Sequence, residues 1–131
     1  MERMDWYDGL AKPAWTPSPG FIGTVWTVLY PIIIVTFAYM IYRVVRGQAP
    51  TWLLVPIALN VVSNVAFTPI QFGLRNLPLA AFDILVVLAT IVWCTVAFWP
   101  YSRLATLALT PYLAWVATAT VLQLSITWMN R

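Results

Sequence analysis

Four long apolar runs, separated by short joins, decide what this chain can fold into. Each run is close to the roughly 20 residues that a helix needs to cross the hydrocarbon core of a bilayer. Only 8% of the 131 residues are charged, whereas about a quarter are charged in a soluble domain. The sequence therefore predicts an all-α integral membrane protein, a single domain folded as a four-transmembrane-helix bundle in a lipid bilayer.

The joins RGQAP, QFGLRNL and WPYSR set the order of the helices. Short joins favour antiparallel packing of consecutive helices. We expect a loop and then four helices, at about 1–22, 23–42, 51–70, 78–98 and 104–128.

Composition excludes several classes of function. The net charge of +3 comes from scattered residues, and without a basic block we expect no nucleic-acid partner. Histidine is absent and Cys94 is the only cysteine, so no His/Cys metal site is expected. No nucleophile–base pair or glycine-rich phosphate loop is present, so we expect no catalytic residue, no required cofactor and no classical enzyme.

Polar side chains gather on one face of the second predicted helix. At 100° per residue, Asn60, Asn64 and Gln71 lie within about 40° of one another, and Ser63 and Thr68 flank them. Such a face should not point at lipid tails. Two interpretations remain open, hydrogen bonding between helices or the polar wall of a ligand cavity.

Asp83 is the only acid inside an apolar run. It lies about one turn into the third helix, where the helix dipole favours a negative charge, and Arg75 in the preceding join could pair with it. This indicates a structural ion pair or cap. The alternative is a proton- or cation-coupled site, which a four-helix exporter would need.

Aromatic residues also lie well inside the apolar runs. Trp26 and Tyr30 share a helix face, as do Trp115, Ala119, Leu122 and Ile126 on the last helix. Flat aromatic faces suit stacking on a flat apolar ligand, and they suit ordinary core packing equally well.

Three blocks together resemble the TspO/MBR family of translocator proteins and tryptophan-rich sensory proteins. They are WYDGLAKPAWTPSP followed by VWTVLY, then LNVVSNVAFTPIQFGLRNLPLAAFDILVV, then PYLAWVATATVLQLSITWMNR. The blocks stand in the family's order and cover nearly the whole chain. The resemblance implies tilted membrane helices around a cavity for porphyrins and other tetrapyrroles, sterols or isoquinoline-type drugs. It also implies a bacterial inner membrane as the location.

The resemblance assigns roles to particular residues. Ligand-binding positions are Trp26, Tyr30, Asn64, Trp115, Ala119 and Leu122. A proline-stiffened lid over the cavity would contain Pro13, Trp15 and Pro17. Structural polar positions are Asn60, Gln71, Arg75 and Asp83.

This chain also departs from the family pattern. The family has five helices, and this chain begins where the first of them has ended. Gln71 and Phe72 stand where the family has two phenylalanines, and Gln123 stands where it has an asparagine. Leu124 replaces the tyrosine of a proposed sterol motif, a weak motif even when intact, so sterol binding is not expected.

The resulting prediction is a membrane protein that binds a flat hydrophobic ligand, a porphyrin or other tetrapyrrole, in a sensory, regulatory or transport role. One alternative is an accessory subunit of a larger membrane complex, or a homodimer formed through the groove of the missing helix. A small exporter that uses Asp83 is another. Light-dependent porphyrin degradation is a family activity for which Trp26 and Trp115 would be the redox candidates.

Overall fold

The computed structural model of the protein describes residues 9–130 and confirms the predicted all-α class. Its four long helices are α1 Pro19–Val45, α2 Leu54–Thr68, α3 Leu77–Phe98 and α4 Arg103–Met129. A 3-10 turn, Thr51–Leu53, leads into α2, and a π-helical turn, Pro69–Gly73, follows it. Each of the four segments is long and apolar enough to cross a membrane. Residues 1–8 of the predicted lid loop lie outside the described part.

Side-chain caps fix where the helices begin. The Ser18 hydroxyl accepts a hydrogen bond from the Phe21 amide at 3.1 Å, and Pro19 occupies the first turn, where its missing N–H costs little. As a result α1 begins four residues before the predicted start at residue 23. Asn76 and Ser102 cap α3 and α4 in the same way.

The second span ends in a π-helical turn instead of stopping at residue 70. Pro69 has no N–H of its own, and its carbonyl accepts a hydrogen bond from the Leu74 amide, five residues on, at 2.9 Å. Arg75 then adopts a left-handed conformation, with φ 53°, and the chain turns into α3. Single π-helical turns in proteins often occur at functional sites.

The packing order differs from the prediction in one respect. Helix α2 packs against α3 and α3 against α4, as the short joins suggest, but α1 packs mainly on α4 and touches α2 sparsely. The expectation that α1 and α2 are close neighbours was therefore wrong over most of their length. The join at 46–50 fixes only the adjoining helix ends, where Val44 and Leu53 share one core cluster.

The half of the bundle next to the joins 46–50 and 99–102, here named the closed end, is tightly filled. Phe37 and Phe98 meet edge to face, with ring centroids 6.3 Å apart. The guanidinium of Arg43 donates to the carbonyl of Tyr101 and thereby connects α1 to the join at 99–102. Several large side chains here are fully buried: Met40, Leu53, Ile91, Phe98 and Leu109.

Candidate functional site

A partly open cavity of about 360 Å³ occupies the opposite half of the bundle, which we name the cavity end. The start of α1, the end of α2, the first half of α3 and the second half of α4 surround it. Its volume lies within the range of about 300–1,000 Å³ that is usual for small-molecule sites. The six residues predicted to bind a ligand all line it: Trp26, Tyr30, Asn64, Trp115, Ala119 and Leu122.

Aromatic rings form much of the cavity wall. The rings of Trp26 and Tyr30 lie one helical turn apart on α1, with centroids separated by 5.1 Å and planes inclined by 30°. Trp26 also meets the buried ring of Tyr112 edge to face at 6.2 Å. Across the cavity, Trp115 meets Phe21 at 6.2 Å. These contacts hold the indoles in place and leave ring surface available to a guest.

A chain of hydrogen bonds orients the polar part of the wall. The Tyr112 hydroxyl donates to Asn60 Oδ1 at 2.9 Å and accepts from Asn64 Nδ2 at 2.6 Å. Asn60 Nδ2 donates to Thr90 Oγ1 at 3.0 Å and to the Val87 carbonyl at 3.3 Å. Asn60 therefore links α2 to α3 and α4, whereas Asn64 stands at the cavity surface with its amide nitrogen held by Tyr112. Hydrogen bonding between helices is confirmed for Asn60, whereas a role of Asn64 in ligand binding stays a prediction.

Two polar atoms of the cavity wall are buried and have no hydrogen-bond partner among the described residues. They are Gln71 Oε1 and Trp115 Nε1. Gln71 was predicted as a structural polar residue, and the structure places it in the cavity wall, 4% exposed. Buried polar groups are nearly always satisfied, so this acceptor and this donor are exceptions among the described residues.

Charge is missing from the cavity wall, since every described lining residue is uncharged. Asp83 is buried in α3 outside the lining, and its Oδ2 atom has no hydrogen-bond partner in the described structure. Its pairing with Arg75 stays a prediction. The wall therefore suits the uncharged part of a ligand, and any charged group of that ligand would have to lie at the open side of the cavity.

The described loop before α1, residues 9–18, lies against the C-terminal end of α4 and leads into α1. Leu10 packs against Leu122 and Ile126, which both line the cavity. The Ala11 amide donates to Asn130 Oδ1 at 3.0 Å, and Asn130 Nδ2 returns a bond to the Ala11 carbonyl at 2.8 Å. We name this pair of bonds the clasp.

The three predicted lid residues lie in this loop but do not belong to the cavity lining: Pro13, Trp15 and Pro17. Trp15 is 51% exposed. The Pro13 carbonyl accepts hydrogen bonds from the Thr16 amide and hydroxyl, which makes the loop a defined turn. Closure of the loop over a ligand stays a prediction.

Sequence reasoning missed part of the wall. Several apolar lining residues carry no signal that separates them from ordinary core residues: Ile22, Gly23, Phe67, Ile84 and Val87. Ile126, which the helical period places on the same face as Trp115, also lines the cavity. The sequence did carry a signal for Thr68 and Gln71, because both belong to the polar stripe of the second helix. Gln123 had been noted only as a departure from the family pattern, and it lines the cavity with its amide nitrogen bonded to Thr127 at 3.3 Å.

Over residues 9–130, the fold and the cavity together define a membrane protein with four helices long and apolar enough to cross a bilayer and with an uncharged, partly aromatic internal cavity. The model of the TspO/MBR family matches residues 1–129, and the chain belongs to this family.

Relatives in bacteria and animals agree with that assignment. The chain is 37% identical over 128 residues to the "Uncharacterized membrane protein YtaB" of Bacillus subtilis, covering 96% of this chain and 81% of the relative. It is 37% identical over 126 residues to the "Tryptophan-rich protein TspO" of Bacillus cereus, covering 95% and 80%. It is 35% identical over 133 residues to the "Translocator protein" of Homo sapiens, covering 99% and 77%.

Two of these names describe a tryptophan-rich protein or a translocator protein, and none of the three names a classical enzyme. The four apolar helices and the family membership make the chain an integral membrane protein, and the bacterial relatives support a bacterial membrane.

Proposed function

We propose that the protein binds a flat apolar small molecule of the tetrapyrrole class in the cavity, in a sensory, regulatory or transport role. The observation that carries the proposal is the convergence of Trp26, Tyr30 and Trp115 on one cavity within the membrane-spanning region. Large aromatic faces stack favourably on flat conjugated rings. The apolar remainder of the wall suits the hydrocarbon part of the ring edge, and the propionates of a porphyrin would have to lie at the open side of the cavity.

Recognition would depend on shape and stacking. The chain has no histidine, and Cys94 is buried in the core outside the cavity lining. Histidine, cysteine and methionine, which are common axial ligands of haem iron, are therefore missing from the described cavity wall, and among its lining residues only Tyr30 has a side chain of a type that ligates haem iron. A metal-free porphyrin should bind as well as its iron complex.

The test is a titration of the purified, detergent-solubilised protein with protoporphyrin IX, followed by porphyrin absorbance and by tryptophan fluorescence. We expect saturable binding in the micromolar range or tighter. Replacing Trp115 by Phe removes stacking area and should weaken binding by about tenfold. The matched control is Trp93→Phe, which also removes one indole but at a half-exposed position outside the cavity. Equal affinity of the Trp115 variant and the wild-type protein would refute the assigned site.

A coupled exporter is a second candidate because of Asp83. A buried carboxylate inside a membrane span is costly, and such groups often mark ion pathways. Here Oδ2 has no hydrogen-bond partner in the described structure. The test is uptake of a cationic dye by proteoliposomes under a proton gradient. Full transport by Asp83→Asn would end this candidate.

A further inference from the structure

A shallow groove lies on the outer surface of the bundle, between α3 and α4 at the closed end. We name it the outer groove, and its walls are formed by Thr95, Val96, Trp99, Thr106, Thr110 and Leu113. None of these residues lines the cavity. Because α3 and α4 are both long and apolar enough to cross the membrane, a groove on their outer surface is open to lipid.

The three threonines of the outer groove do not make it polar. Thr95 Oγ1 donates to the Val92 carbonyl at 2.8 Å. Thr106 Oγ1 donates to the Thr95 carbonyl at 2.8 Å, and Thr110 Oγ1 donates to the Thr106 carbonyl at 3.2 Å. Each hydroxyl proton is therefore used on a backbone carbonyl, and a guest in this groove needs no polar group. Such a surface suits a hydrocarbon chain.

A cation stands at one end of the outer groove. Arg103 begins α4, and at 100° per residue it lies within about 80° of all three α4 residues of the groove. Leu113, the last of them, follows Arg103 by ten positions, which is about 15 Å of helix. The hydrocarbon core of a bilayer is about 30 Å thick. This helix face therefore extends from the membrane surface through one leaflet.

The guanidinium of Arg103 is held in place by a ring and not by a carboxylate. It lies over the Trp99 ring, 5.0 Å from the centroid, and Trp99 belongs to the groove wall. A contact of this kind uses the face of the guanidinium and leaves its N–H edge for a phosphate oxygen. Between residues 9 and 130 the only acid is Asp83, about 24 Å from Trp99 along the helix. Nothing in the described structure therefore neutralises Arg103.

We propose that the outer groove binds one anionic phospholipid, with its phosphate on Arg103 and one acyl chain along the groove. Charge complementarity favours this occupant over a second copy of the chain, which would bring another Arg103 to the same face. Arg43, bonded to the Tyr101 carbonyl of the adjoining join, adds a second positive charge nearby. The site is separate from the cavity and does not depend on what the cavity binds.

The first experiment compares two lipids that differ in headgroup charge. The detergent-solubilised protein is titrated with dioleoyl phosphatidylglycerol, which is anionic, and with dioleoyl phosphatidylcholine, which has the same chains and no net charge. Native mass spectrometry resolves the protein with no lipid bound from the protein with one. We expect the first phosphatidylglycerol to bind about fivefold more tightly. Equal affinities for the two lipids would overturn the proposal.

Arginine variants then test whether one residue carries the preference. Arg103→Gln should reduce it to less than about twofold. The matched control is Arg46→Gln, which removes the same charge from the same end of the bundle. Arg46 is exposed and lies over the Tyr42 ring at 5.9 Å, and neither residue lines the outer groove. Arg46→Gln should keep the preference. An equal loss in both variants would indicate diffuse attraction and overturn the site, as would an unchanged preference in Arg103→Gln.

A groove variant tests the acyl-chain part of the proposal. Thr110→Phe keeps Arg103 and fills the groove, so both lipids should bind at least about threefold more weakly. The control is Leu107→Phe, on the same helix, 60% exposed and outside the groove, which should change neither affinity. Unchanged lipid binding in Thr110→Phe would overturn the proposal. A protein dimer that Thr110→Phe dissociates would do so as well, because a second copy would then cover the groove.

Discussion

The two ends of the bundle differ in how completely side chains fill the space between the helices. At the closed end, Met40, Leu53 and Phe98 are fully buried in one continuous cluster. At the cavity end, the same helices enclose about 360 Å³ and two unpaired polar atoms. Lipid tails are as apolar as leucine, so close packing, more than removal of apolar surface from water, holds membrane helices together. The closed end therefore supplies more of the packing energy, and the cavity end leaves a space between the helices unfilled.

Filling the cavity should cause the largest loss of porphyrin affinity and should not lower the stability of the fold. Ala119 lines the cavity, and Ala119→Phe would occupy the space of a ligand. We expect porphyrin affinity to fall by about 100-fold, with an unchanged or raised midpoint of unfolding, because the new ring enters a void and displaces no packed atoms. The control is Ala117→Phe, an exposed position on the same helix. Retained porphyrin affinity in Ala119→Phe would contradict the site.

A void at the closed end should have the opposite signature. Phe98→Ala removes a fully buried ring and should lower the free energy of unfolding by about 3 kcal/mol. Porphyrin affinity should stay close to that of the wild-type protein, because Phe98 lies outside the cavity lining. Denaturant titration in detergent measures the first quantity, and Phe82→Ala, 65% exposed on the same helix, is the matched control. If Phe98→Ala changed the free energy of porphyrin binding more than the free energy of unfolding, the distinction between the closed end and the cavity end would be contradicted.

The hydrogen-bond chain joins the two ends, so its loss should affect both properties moderately. Tyr112→Phe removes the donor to Asn60 and the acceptor for Asn64. We expect a loss of about 1 kcal/mol in unfolding free energy and a few-fold loss of porphyrin affinity, because Asn64 is no longer oriented. Tyr39→Phe, at a position 46% exposed, should change neither. A stability loss without any change in affinity would show that Tyr112 does not position Asn64.

The smallest effect is expected at the clasp. Asn130→Ala removes two exposed hydrogen bonds to Ala11, worth about 0.5 kcal/mol in total unfolding free energy at such a site. Hydrogen exchange of the Ala11 amide should nevertheless rise clearly. Ser125→Ala removes only a bond to Val121 within α4 and should leave that exchange rate unchanged. Unaltered exchange in Asn130→Ala would mean that other contacts hold the loop.

Much of this architecture follows from the sequence, and the exceptions have physical causes. Hydropathy alone predicts the four spans, because in a membrane every backbone polar group must be satisfied within a helix. The earlier start of α1 carried a readable signal, serine followed by proline at 18–19. By contrast, no local pattern predicts that α1 packs on α4, since a short join restrains only the helix ends that it connects.

The candidate site also has parts that the sequence predicts and parts that depend on the assembled fold. The family resemblance assigned Trp26, Asn64 and Trp115 to the site, and the structure brings all three to one cavity. The part played by Tyr112 could not be predicted, because it depends on a contact with Asn64 between residues 48 positions apart in the chain. The orphaned acceptor of Gln71 is likewise a property of the assembled wall.

The clasp between residues 11 and 130 also bears on how fast a ligand comes and goes. It ties the loop beside the cavity to the last turn of α4 with two solvent-accessible bonds. A contact that the ligand does not touch changes the height of a barrier and leaves the difference between bound and unbound states alone. Where the loop lies on the ligand's route, weakening the clasp would speed association and dissociation by the same factor. The dissociation constant would then stay constant while the residence time shortened, a change visible to stopped-flow measurements and invisible to any equilibrium titration.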